Sequence, residues 1–132
     1  MSNIVGCIFI CDETKKTLLL KRTTKDLSDK HRGFWSILTG HMDEGELPYQ
    51  SVDREVYEEI GVPKNSVKFT KFKIYNYKKD GYLHLYYVVT KNEFIPDLNE
   101  ENEDYGWFDI DDLPKPLFPS TKEKIENVLT LL

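Results

Sequence analysis

The chain has 132 residues, of which 39% are hydrophobic and 13% aromatic, enough for one packed core and too apolar for a disordered chain. It carries 18 basic and 23 acidic residues, a net charge of −5, which argues against a general nucleic-acid coat protein. No apolar run approaches the roughly 18 residues that span a bilayer, so no membrane partner is expected. The length predicts a single domain over residues 1–132. The opening MSNIVGCIFI has no basic n-region and no small-residue cleavage site, and reads as mature protein. Cys7 and Cys11 lie in a strand-like run, roughly 13 Å apart on one face and beyond bridging distance. Buried free thiols and a reducing, cytoplasmic compartment follow.

Residues 4–10 form a nearly continuous apolar run and predict a strand buried on both faces. Residues 17–20 are a second such run after a polar turn, and the two should pair as a hairpin. Residues 24–33 are polar and read as a loop. Residues 34–38 suit a short strand closed by Gly40. Pro48 fits the first turn of a helix, and Val52, Val56 and Ile60 then recur every four residues until Gly61 and Pro63 stop the pattern. That predicts a helix over 48–60. Residues 67–77 and 82–90 are strand-like, with Asp80-Gly81 as the hairpin turn. Residues 106–110 are a further short strand. Residues 113–119, rich in proline, form a stiff connector. Ser120 and Glu123 have capping-box spacing and open a last helix to about residue 131. Strands around one central helix, with another closing the chain, predict an α/β fold: a mixed sheet with helices on its faces.

The charges are unevenly placed. Residues 97–112 hold eight acidic residues and no basic one, whereas residues 15–32 hold seven basic residues against two acidic ones. On the central helix, Glu55, Glu58 and Glu59 fall on one arc beside the Val52, Val56, Ile60 stripe, with Arg54 four residues before Glu58. Like charges so placed repel, and one Arg does not neutralise three carboxylates. A divalent cation does, and oxygen ligands without Cys or His favour Mg²⁺ or Mn²⁺ over zinc. Gly40 and Gly45, just upstream, allow a tight turn that brings a backbone carbonyl to the same ion.

The spacing of Gly40, Glu46, Arg54, Glu55, Val56, Glu58, Glu59, Gly61 and Val62 matches the Nudix box at every defined position. The chain therefore resembles the Nudix hydrolase family. The resemblance implies an α/β/α sandwich, with the box helix on one face of the mixed sheet and the C-terminal helix completing it. It also implies a Mg²⁺-dependent (or Mn²⁺-dependent) hydrolase acting on nucleoside diphosphate derivatives. By position, Gly40 (through a carbonyl at or beside it), Glu55, Glu58 and Glu59 would be metal ligands. Glu55 or Glu58 would be the general base, Arg54 would orient a Glu by salt bridge, and Glu46 would support the loop and outer metal shell. Glu103, in the acidic run before Trp107-Phe108, would be an additional metal or base position. Arg22, at the end of the second strand, and His41 would contact phosphate. Thr39 stands where the family often has Gly.

The implied partner is a small nucleotide-type substrate: a dinucleoside polyphosphate, ADP-ribose or a nucleotide sugar ahead of a nucleoside triphosphate. Phe34, Trp35, Tyr75, Tyr77, Tyr82 and Tyr87 are candidates for stacking on a base. Residues 114–120 faintly echo an NADH-type array. Competing readings are a diphosphate isomerase, which needs a well-placed Cys in the pocket, and a non-catalytic nucleotide-sensing module. The sequence leaves the oligomeric state open, a homodimer included.

Overall fold

A computed structural model describes residues 2–132. The elements in chain order are β1 (Ile4–Cys11), β2 (Thr17–Arg22), β3 (Trp35–Ser36), β4 (Leu38–His41), α1 (Pro48–Ile60), β5 (Thr70–Tyr77), β6 (Gly81–Thr90), β7 (Asn102–Phe108) and α2 (Thr121–Leu129). All eight residues of β1 are buried, as a continuous apolar run requires when both faces of a strand are covered.

The sheet is mixed. β1 pairs in parallel with β6 along its whole length, from Ile4 opposite Leu83 to Cys11 opposite Thr90. β5 closes that side as the antiparallel partner of β6. The β1–β2 hairpin forms, but the two strands pair only beside the turn, Ile10 opposite Thr17, and then separate. One extended segment occupies the gap. Its first part, β3, pairs with β2 through Ser36 and Leu20. After Ile37 its second part, β4, pairs with β1 from Cys7–Leu38 to Ile4–His41. β7 covers the other edge of β2.

Helices cover both faces. Val52, Val56 and Ile60 of α1 pack against Val5, Phe9 and Leu20 on one side. Ile125 and Val128 of α2 pack against Ile8, Ile10 and Leu85 on the other. This is the α/β/α sandwich expected. Cys7 and Cys11 are buried free thiols. Among the described residues no helix is long and apolar enough to cross a membrane.

Four local expectations change. The single strand over 34–38 is two short strands bonded to different neighbours, because the segment crosses from β2 to β1. The hairpin between β5 and β6 has a three-residue connection, with Tyr77 opposite Gly81 and Lys78 taking the positive φ of 53°. Gly81 is needed for another reason: a Cβ there would strike the Ser2 carbonyl. β7 begins at Asn102 rather than 106, so pairing with β2 draws part of the acidic run into the sheet. Ser120 takes a left-handed conformation (φ 66°) and its side chain makes no capping bond. A cap hydroxyl reaches the first-turn N–H groups from extended backbone, so the expected capping box does not form.

Candidate active site

Three pieces of chain converge where β1 and β2 separate. β4 supplies Gly40 and His41, α1 supplies Arg54 to Glu59, and the entry to β7 supplies Glu101 and Asn102. Helix α1 starts at Pro48, with Leu47 donating its N–H to Gln50 Oε1 at 2.9 Å, and ends on Gly61 in the left-handed region. Those ends set which face of α1 meets the sheet, and the core stripe draws Glu55 and Glu59 in beside it. They are 7% and 3% exposed, burial that carboxylates almost never have unless something compensates their charge.

Among the described residues, Arg54 is the cation hydrogen-bonded to Glu46, Glu55 and Glu58. Its Nε and Nη2 donate to Glu46 Oε2 and Oε1 at 2.8 and 3.0 Å, a bidentate pair. Nη1 lies 2.9 Å from both Glu55 Oε1 and Glu58 Oε2, and Nη2 also donates to the His41 carbonyl at 3.0 Å. The hydrogen bonds from Arg54 hold the Glu46 carboxyl down to about 2. Glu46 strengthens the proton affinity of Arg54 in return. Glu46 also accepts the Asp43 N–H at 2.8 Å, tying the loop before α1 to the same guanidinium.

Glu59 lies beyond this network. Asn102 Nδ2 donates to its Oε1 at 3.2 Å, and Oε2 is buried with no hydrogen-bond partner. Desolvation pushes its carboxyl well above the usual range, reinforced by Glu55 and by the charge of Glu101. The Glu101 carboxyl is also raised, first by desolvation, then by Glu55, Glu100 and Glu58. Gly40 packs directly on Glu55, and a Cβ there would overlap the carboxyl.

These features suit a hard divalent cation. The donors are oxygens, two carboxyls are buried, one oxygen has no donor facing it, and the backbone approaches to contact at Gly40. Among the described residues no three acidic, His or Cys side chains already converge as a metal cage. Glu55 and Glu58 instead bracket Arg54 Nη1.

A cavity of about 1090 Å³ opens beside the carboxylates, and Glu55, Glu59, Gly40 and Glu101 line it. Arg22 and His41 also line it. Arg22 Nε donates to Asp29 Oδ2 at 3.0 Å while its guanidinium lies 5.3 Å from the Phe118 ring centroid. Its Nη groups donate to nothing among the described residues. Of the candidate stacking aromatics, Tyr75 and Tyr77 line this cavity; Phe34, Trp35, Tyr82 and Tyr87 do not.

Glu103 is placed elsewhere. It accepts from the Thr24 N–H and hydroxyl at 2.7 and 2.9 Å and pairs with Lys21 at 3.3 Å, away from the carboxylate cluster. Glu101 is the acid of that run whose charge bears on Glu55, Glu58 and Glu59. Sequence reasoning missed both Glu101 and Asn102. The signal was the start of β7: with the strand beginning at Asn102, that residue and Glu103 face opposite ways.

The NUDIX domain family model matches residues 2–128. The NAD-capped RNA hydrolase NudC of Pseudomonas syringae pv. tomato is 31% identical over 97 residues, covering 74% of this chain and 33% of NudC. The chain thus spans about a third of the length of that relative. A MutT NUDIX hydrolase structure from Burkholderia pseudomallei superposes with a TM-score of 0.70 at 25% identity, covering 96% of this chain and 98% of that one. The NUDIX domain of Shewanella oneidensis NrtR, complexed with ADP ribose, superposes with a TM-score of 0.75 at 19% identity, covering 98% and 86%. The match along almost the whole chain, together with the unbroken box at the carboxylate cluster, makes this chain a member of the NUDIX domain family.

Proposed function

We propose that the chain is a divalent-metal-dependent pyrophosphohydrolase that cleaves the diphosphate linkage of a nucleoside diphosphate joined to a second sugar or nucleoside. The observation that carries this reading is the buried pair Glu55 and Glu59, with one oxygen unpartnered, at the wall of a cavity of about 1090 Å³. That volume is just above the usual range for small-molecule sites and suits a dinucleotide-sized ligand. Similarity to NAD-capped RNA hydrolases and to a domain complexed with ADP ribose points to the same substrate class.

Glu55, Glu58 and Glu59 would hold Mg²⁺ or Mn²⁺ with the backbone at Gly40, and Glu101 is the additional acid in place of Glu103. When bound, such an ion lowers the pKa of water and offsets charge on phosphate oxygens. The chain's own groups do the rest. Glu55 or Glu58 takes the proton of the attacking water. Arg54 fixes both carboxylates in place and is itself held by Glu46. Arg22, clamped by Asp29 and Phe118, turns its free Nη groups to phosphate oxygens, with His41 beside the box loop. Water adds to one phosphorus, the bridging P–O bond breaks, and a nucleoside monophosphate leaves with a second phosphate compound. The buried free thiols accord with a reducing, cytoplasmic setting.

The test is product analysis on ADP-ribose, NAD, diadenosine polyphosphates, nucleotide sugars and nucleoside triphosphates, with Mg²⁺, with Mn²⁺ and with chelator. Metal-dependent release of a nucleoside monophosphate, lost in Glu59→Gln, is expected. Binding without turnover of any member would replace the hydrolase with a sensing module.

A further inference from the structure

The cavity has two chemically different walls. The wall from α1 and the entry to β7 is acidic. The wall from β5, the turn after it and α2 carries Tyr75, Tyr77, Lys78, Thr121 and Lys124 and no carboxylate. Lys124 stands out there. It is half-buried and forms no ion pair or side-chain hydrogen bond among the described residues. Its Nζ lies 4.9 Å from the centroid of Tyr75. A ring face alone compensates a partly desolvated ammonium weakly. Desolvation lowers its proton affinity, with only neighbouring Glu123 opposing. The hydroxyl of the same Tyr75 is buried without a partner. An ammonium held in a cavity wall without an ion pair is suited to an anion arriving with the ligand.

We propose that Lys124, backed by Tyr75, is a specificity residue that binds a phosphate of the substrate other than the diphosphate held at the carboxylates. This rests on the pyrophosphohydrolase reading above. Glu55, Glu59 and Lys124 line the same cavity, so a ligand large enough to fill it meets both walls. The extra phosphate has two sources: a branch on a ribose, or further members of the polyphosphate chain.

Two substrate pairs separate these sources: NADP against NAD for the branch, and diadenosine tetraphosphate against diadenosine diphosphate for the chain. Each is measured with the full chain, with Lys124→Met, which keeps most of the stem, and with Lys122→Met as an exposed control on the same helix. In at least one pair the phosphate-richer member should have a KM about tenfold lower. That preference should collapse in Lys124→Met and persist in Lys122→Met. The pair that responds names the source. KM ratios equal in the full chain and in Lys124→Met for both pairs overturn the proposal. Should the full chain cleave none of these compounds, the hydrolase reading fails by itself. Calorimetric binding of the same four compounds then decides the anchor by the same ratios.

Discussion

The two helices do the same structural job with different residues. α2 buries Thr121, Ile125 and Val128 against its face of the sheet, an ordinary amphipathic arrangement. α1 buries Val52, Val56 and Ile60 but adds Ser51, Glu55 and Glu59 to the buried set. Nothing in packing demands carboxyls at those positions. A helix that buries acids beside an apolar stripe has accepted a loss of stability, and such losses collect where a fold carries chemistry. The difference between the helices locates the candidate site independently of the motif.

Breaking α1 and α2 in turn should separate stability from activity. The largest effect belongs to Glu59→Gln. Activity should fall about a hundred- to a thousand-fold, while the chelated protein becomes more stable. The sign follows from linkage. The folded carboxyl binds its proton more tightly than the unfolded one, ordinarily near 4.5, so folding takes up a proton. Stability of the metal-free protein therefore falls as pH rises above about 4.5 towards about 10. The substitution should raise stability at pH 7 and flatten the decline, because it removes the group that takes up the proton. Urea titrations in chelator between pH 5 and 9 measure both.

Ile125→Ala on α2 is the converse. It should cost about 3 kcal/mol in urea unfolding through the cavity it leaves. Its kcat, measured well below the unfolding midpoint, should match the parent. Gly40→Ala sharpens the contact on the α1 side. The added methyl must displace the Glu55 carboxyl, and an ångström of misplacement costs about a hundredfold in kcat. The smallest effects distinguish neighbours in the acidic run. Glu101→Gln should lower kcat about tenfold. Glu103→Gln, whose carboxylate is engaged by Thr24 and Lys21, should change it by less than about twofold.

Much of the fold and of the candidate site is legible in the sequence. The period-four apolar stripe with Pro48 and Gly61 at its ends places α1 to the residue, and the box spacing places Arg54, Glu55, Glu58 and Glu59 on it. Both are local signals. What escaped was non-local. Segment 34–38 reads as one short strand because nothing in it announces that β1 and β2 diverge there. The start of β7 depends on its pairing with β2, and that pairing chooses Asn102 and Glu101 from a run of similar acids. Ser120 and Glu123 have the right spacing for a cap, but the turn after Pro119 puts Ser120 in a conformation that spacing does not reveal. Lys124 carries no motif at all, and only the cavity distinguishes it from the other lysines.

The central claim is that the carboxyls buried on α1 hold a divalent cation, with Glu59 giving up its proton to do so. Mn²⁺ binding followed by electron paramagnetic resonance between pH 6 and 9, in the parent and in Glu59→Gln, tests it most directly. The account predicts affinity that rises by up to about tenfold per pH unit in the parent, and weak, pH-insensitive binding in Glu59→Gln. Equal affinity in the two proteins, or no dependence on pH in the parent, would contradict it.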